Sequence, residues 1–125
     1  MTKILIDTKK LGRKEPTELK SNVSNIKKSL QFRGQMFDLD NLTKEFEGSD
    51  DTYGYLSADN KRMSQQFFFT IDFLTDILDL SEKEVKKLDD LSWDELSAIS
   101  GEVNFKIMNP EEEEGTEKGT PSKSK

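Results

Sequence analysis

Seventeen residues, Ser64 to Leu80 (SQQFFFTIDFLTDILDL), constrain the fold of this chain more than any others. Nine of them are apolar, and Phe67, Phe68 and Phe69 stand in succession. Phe67, Ile71, Leu74 and Leu78 recur at i, i+4, i+7 and i+11, the spacing of one helical face. Phe69, Phe73 and Ile77 widen that face, so the helix needs neighbours on more than one side. Apolar and polar residues do not alternate, which excludes a strand. The run is too short for a membrane span and carries Asp72, Asp76 and Asp79. Three consecutive helical side chains spread over roughly 200°. One core takes all three only if other helices wrap this one all round, the first reading; the alternative is that one Phe, Phe68 foremost, faces a groove or a partner.

The rest of the chain reads as an all-α domain of about five helices, from residue 17 to residue 109. Residues 1–16 read as a flexible basic segment, with at most a short strand around Ile4 and Ile6. Thr17 is a candidate N-cap. Leu19, Val23, Ile26 and Leu30 then follow helical spacing, with Lys20, Lys27 and Lys28 on the polar side. Gln31 to Leu39 reads as a turn with apolar anchors. Asp40 is expected to cap a short helix over residues 41–47, which Gly48 stops. Residues 48–60 (GSDDTYGYLSADN) have the composition of a loop. Ser81 with Glu84 and Ser92 with Glu95 each match the capping box, so helices are expected over 82–89 and 93–108. From Pro110 onward no apolar side chain remains beyond the prolines. Residues 110–125 are therefore expected to be a disordered acidic tail.

Composition excludes most chemistry. The chain has no Cys and no His, which removes thiolate nucleophiles, disulfides, the commonest general base and the commonest transition-metal ligand. Its seven Gly are scattered and form no phosphate-binding loop. Asp38 to Asn41 resembles the start of a calcium loop, but Thr43 and Ser49 stand where that loop needs Gly and Glu. Asp50-Asp51 and Asp89-Asp90 read as solvated turns. No catalytic, cofactor or metal residue is assigned. The apolar run at the N-terminus is only three residues long, so no signal peptide is expected and the chain reads as cytoplasmic.

The net charge of −6 is unevenly placed. Residues 1–35 hold nine Lys/Arg against three Asp/Glu, a balance of +6, and the remainder therefore carries −12. Such segregation supports head-to-tail self-association or a basic arm seeking an acidic partner. It does not suit nucleic-acid binding, because the pI is 4.8 and no recognition pattern is present.

The order of elements carries a family resemblance. An aromatic helix (QQFFFTIDFLTDIL) is followed by Leu80-Ser81 opening EKEVKKL, then by SWDELSAI, a final helix and an acidic tail. Over about Asp40 to Asn109 this resembles the tail assembly chaperones of long-tailed, non-contractile bacteriophages. It is most similar to those of phages infecting lactococci and related Gram-positive hosts. The resemblance implies a small helical protein of the host cytoplasm, absent from the finished virion and without catalytic residues. Its implied partner is the tape measure protein, kept soluble until tail-tube subunits polymerise around it. It also implies copies that associate into a homo-oligomeric helical array, and a longer form made by frameshifting.

The residues expected to meet partners are apolar: Phe67, Phe68, Phe69, Phe73 and Trp93, with Leu19, Val23 and Ile26 on the basic helix. The rival reading is a small acidic phage protein acting by binding, such as a DNA-mimicking inhibitor or a virion connector component. The basic first 35 residues argue against mimicry.

Overall fold

The computed structural model describes residues 3–110. It is mostly helical. A two-stranded sheet, β1 (Lys3–Ile6) and β2 (Thr17–Lys20), precedes α1 (Val23–Leu39), α2 (Thr52–Ile77), α3 (Glu82–Asp89) and α4 (Trp93–Met108). The tail expected to be disordered lies, from residue 111, outside the described residues.

The first twenty residues differ from the flexible arm and early helix expected of them. β1 and β2 pair antiparallel, with Ile4 opposite Leu19 and Ile6 opposite Thr17. Strand alternation puts Ile4, Ile6 and Leu19 into the core and leaves Lys3 and Leu5 outside. Between the strands, Thr8 and Leu11 are buried, and Thr8 and Thr17 share a hydroxyl hydrogen bond of 2.8 Å. Gly12 turns the chain with φ +94°, where a side chain would be strained. Basic residues and helical spacing at Leu19, Val23 and Ile26 hid this hairpin. Leu19 belongs to a strand, and only Val23 and Ile26 lie on α1.

α1 begins five residues later than expected and continues through the stretch read as a turn. Its N-cap is Asn22, whose side chain accepts from the Asn25 amide at 2.9 Å. α1 lies against the C-terminal half of α2. Phe32 stacks on Phe73 with ring centroids 4.4 Å apart, and Lys28 meets Asp76 at 3.4 Å. Buried Ser29 hydrogen-bonds Asn104 of α4, which satisfies the hydroxyl inside the core.

The helix expected over 41–47 is two 3-10 turns, Asp40–Leu42 and Lys44–Phe46, and Asp40, expected as an N-cap, is instead the C-cap of α1 and the first residue of the first turn. The loop expected over 48–60 is largely helix. Asp51 caps α2 by accepting from the Gly54 amide at 2.8 Å, so α2 runs for 26 residues. Gly54 is required there: a Cβ would collide with the Phe46 ring and the Asp51 carboxylate. At its other end α2 closes with Asp79 in the left-handed region (φ 54°) and bonds from Leu80 N to Thr75 O and from Asp79 N to Asp76 O. This is the Schellman arrangement, made with Asp where Gly is usual.

α3 and α4 start where their capping boxes place them, with both reciprocal bonds formed at Ser81–Glu84 and Ser92–Glu95. Arg13 ties the N-terminal turn to the α2–α3 corner. Its guanidinium donates to both Glu84 carboxylate oxygens, at 2.6 and 2.9 Å, to Thr17, and to the Leu78 and Asp79 carbonyls. The Arg13 hydrogen bond, with help from the Ser81 amide, holds the Glu84 carboxyl down at about 2 against an ordinary 4.5. A carboxyl depressed on folding stabilises the fold above its ordinary pKa and loses that contribution as pH falls towards the folded value. Arg13→Ala should therefore cost roughly 1–2 kcal/mol at pH 7. In urea titrations the gap between native and variant chains should narrow from about pH 4.5 down to about 2. A gap independent of pH over that range would remove the ion pair from the account.

Candidate partner-binding surface

α2 is longer than the core that receives it. Tyr53, Leu56, Asn60, Met63, Phe67, Thr70, Leu74 and Ile77 form one continuous stripe with alternating spacings of three and four residues. The C-terminal part of this stripe is core: Thr70 and Leu74 are 0% exposed and Ile77 is 6%. The N-terminal part is not: Tyr53 is 87% exposed, Leu56 54%, Met63 43% and Phe67 37%. No residue from Thr52 to Phe69 is fully buried. The residues beside the open stripe, Ser57, Ser64 and Gln66, are uncharged, and the Asp59 carboxylate is held by Arg62 at 2.9 Å.

Where the open stripe meets the body it enters a groove of about 320 Å³ lined by Phe67, Ile71, Leu88, Leu91, Trp93 and Leu96, with Asp89 at its edge. Three elements build it. α2 supplies Phe67 and Ile71, α3 supplies Leu88, and the capping box at Ser92 aims Trp93 from the first turn of α4. Phe67 meets Trp93 edge-to-face, with centroids 5.3 Å apart and planes at 86°. Phe68, next to the groove, is 62% exposed. The site offers apolar surface and negative charge; it holds no arrangement of acid, base and nucleophile.

The eight residues expected to meet partners are thus dispersed. Phe67 and Trp93 share the groove, with Phe68 beside it. Phe69 and Phe73 turn to the other side of α2, where they pack with Phe32. Phe73 and Leu19 are core residues and present no free surface in this structure. Ile26 is half-buried against the core, whereas Val23 is 68% exposed on α1. Reasoning from the sequence missed Tyr53 and Leu56, because the composition of residues 48–60 reads as loop, and Met63, which stands before the dense apolar run that begins at Phe67. It also missed Leu30 and Phe37, which stand seven and fourteen residues after Val23 and are 50% and 68% exposed. Heptad spacing carried both signals. None of the helices in the described residues is long and apolar enough to cross a membrane.

The structure is thus a small helical domain with an apolar groove and open apolar helix faces. The family model described as "Phage tail assembly chaperone proteins, TAC" matches residues 3–120, and the chain belongs to that family. The match takes in the N-terminal hairpin, which the sequence resemblance did not reach. No curated protein and no solved structure matches the chain.

The Phe side chains of α2 are divided between core and surface in a way that stability measurements read directly. Phe73→Ala, which deletes a buried ring stacked on Phe32, should cost about 3–5 kcal/mol. Phe68→Ala should change stability by no more than about 0.5 kcal/mol. Comparable losses for both in urea unfolding would mean that Phe68 is packed.

Proposed function

We propose that this tail assembly chaperone binds an apolar helical segment of its phage's tape measure protein in the groove between α2, α3 and α4. The observation that carries the reading is the groove itself: an aromatic wall of Phe67 and Trp93, with Phe68 open beside it, in a chain of this family. A tape measure protein is long, helical and apolar, and its exposed helix faces aggregate unless covered. A helix laid in such a groove buries its apolar face while the charged outer surface of the chaperone faces water. Asp89 at the edge of the groove favours segments with a flanking Lys or Arg.

On this reading the protein acts by binding alone, without cofactor or catalysis, in the host cytoplasm before tube subunits displace it. Several copies coat one tape measure protein as a homo-oligomeric helical array. A siphophage of lactococci or related hosts is the proposed source. DNA mimicry fits less well, because Lys9, Lys10, Lys20, Lys27 and Arg33 stand exposed on the N-terminal side.

Co-expression tests the reading. The native chain should raise the soluble yield of the tape measure protein several-fold. Phe68→Asp, at an exposed position, should abolish most of that gain while leaving the chaperone folded by circular dichroism. An insoluble partner with the native chain, or full rescue by Phe68→Asp, would overturn the groove assignment.

A further inference from the structure

α1 carries a second apolar surface, on the side away from α2. Val23, Leu30 and Phe37 recur every seven residues and stand exposed. Phe32, about 200° round the helix from Leu30, is the residue that stacks on α2. Half-buried Ile26 borders the stripe and joins it to the core. From Val23 to Phe37 the stripe runs for about 21 Å along the helix axis.

Two cations flank it, one on each side. Lys27 and Arg33 lie about 60° round the helix from Leu30 in opposite directions. Both are exposed, and neither meets an acid among the described residues. The one ion pair of α1, Lys28 with Asp76, is made on the inner side. No acid occurs between Glu18 and Asp38, and Asp38 stands just beyond the last stripe residue. Gly34 shares the face of Leu30 and Phe37. A Cβ there would meet nothing within 4 Å in this chain, so the backbone is open to close approach from outside.

Unpaired charge on both edges of an apolar heptad stripe selects among helical partners, as the flanking positions of a coiled coil do. We infer that the outer stripe of α1 is a docking site for an amphipathic helix whose apolar heptad face is flanked by Asp or Glu. The inference does not depend on the groove, whose Asp89 favours basic flanks, so the two surfaces select different segments. A second copy of this chain suits the stripe less well. α1 against α1 opposes Lys27 and Arg33 to like charges. The open half of α2 brings Lys61, and its one acid, Asp59, is already held by Arg62.

Two labelled three-heptad peptides test the site, both with Leu along the apolar face. One carries Glu at the flanking positions and the other Lys, so neither pairs with itself. Read by fluorescence anisotropy, the Glu peptide should bind the native chain at least about tenfold tighter than the Lys peptide. Leu30→Asp should lose that binding, whereas Phe68→Asp, at the groove, should keep it. Lys27→Glu combined with Arg33→Glu should reverse the preference, and its binding of the Lys peptide also shows that the variant is folded. Equal binding of the two peptides by the native chain, or a preference unchanged by the double reversal, would overturn the proposal. Failure of the Glu peptide to bind, with self-association of the native chain lost in Leu30→Asp, would give the stripe to a second copy instead.

Discussion

The structure depends on a mismatch of lengths. α2 carries one apolar stripe along 26 residues, whereas α1 has 17 residues and α4 has 16. The core closes around Thr70, Leu74 and Ile77, with Phe73 stacked on Phe32. The stripe continues below it without cover. Burying apolar surface stabilises the fold only where neighbours exist to bury it. An uncovered continuation of the same stripe is therefore a surface with an affinity and no internal partner. The rest of the molecule holds the covered half in place. The β-hairpin closes the core at one end, and Arg13 fastens it to the corner where α2 turns into α3.

Those anchors define what the surface can do. The Schellman turn at Asp79 and the two capping boxes fix the angles at which α3 and α4 leave α2. Trp93 consequently stands against Phe67 and walls a groove that one long helix alone would lack. On the proposed reading the protein holds an apolar partner without aggregating itself. Here the apolar surfaces are narrow stripes and a groove, each bordered by polar or charged residues, so they admit a helix more readily than a flat aggregate.

Elements with local chemical signals were legible in the sequence. Ser81–Glu84 and Ser92–Glu95 begin α3 and α4 because a capping box is a contact within four residues and needs no tertiary context. The apolar density of residues 64–80 located the helix that runs through the core. Elements settled by distant contacts were not legible. Thr17 to Lys20 suits a helix by spacing, and becomes a strand because Ile4 lies opposite Leu19. Residues 52–60 have the composition of a loop, and become helix because Asp51 caps them and Phe46 packs under Gly54. The candidate site was legible only in part for the same reason. Phe67 and Trp93 are brought together by the fold, while Phe73 and Leu19 are taken into the core.

Amide hydrogen exchange along α2 tests the central claim most directly, because it reads the two halves of one helix separately. In the dilute, monomeric chain the amides of residues 70–78 should exchange orders of magnitude more slowly than those of residues 56–66. Addition of tape measure protein should slow exchange around Phe67 and Phe68. Equal protection along the whole of α2 in the dilute chain, or no change around Phe67 and Phe68 with the partner present, would contradict the account.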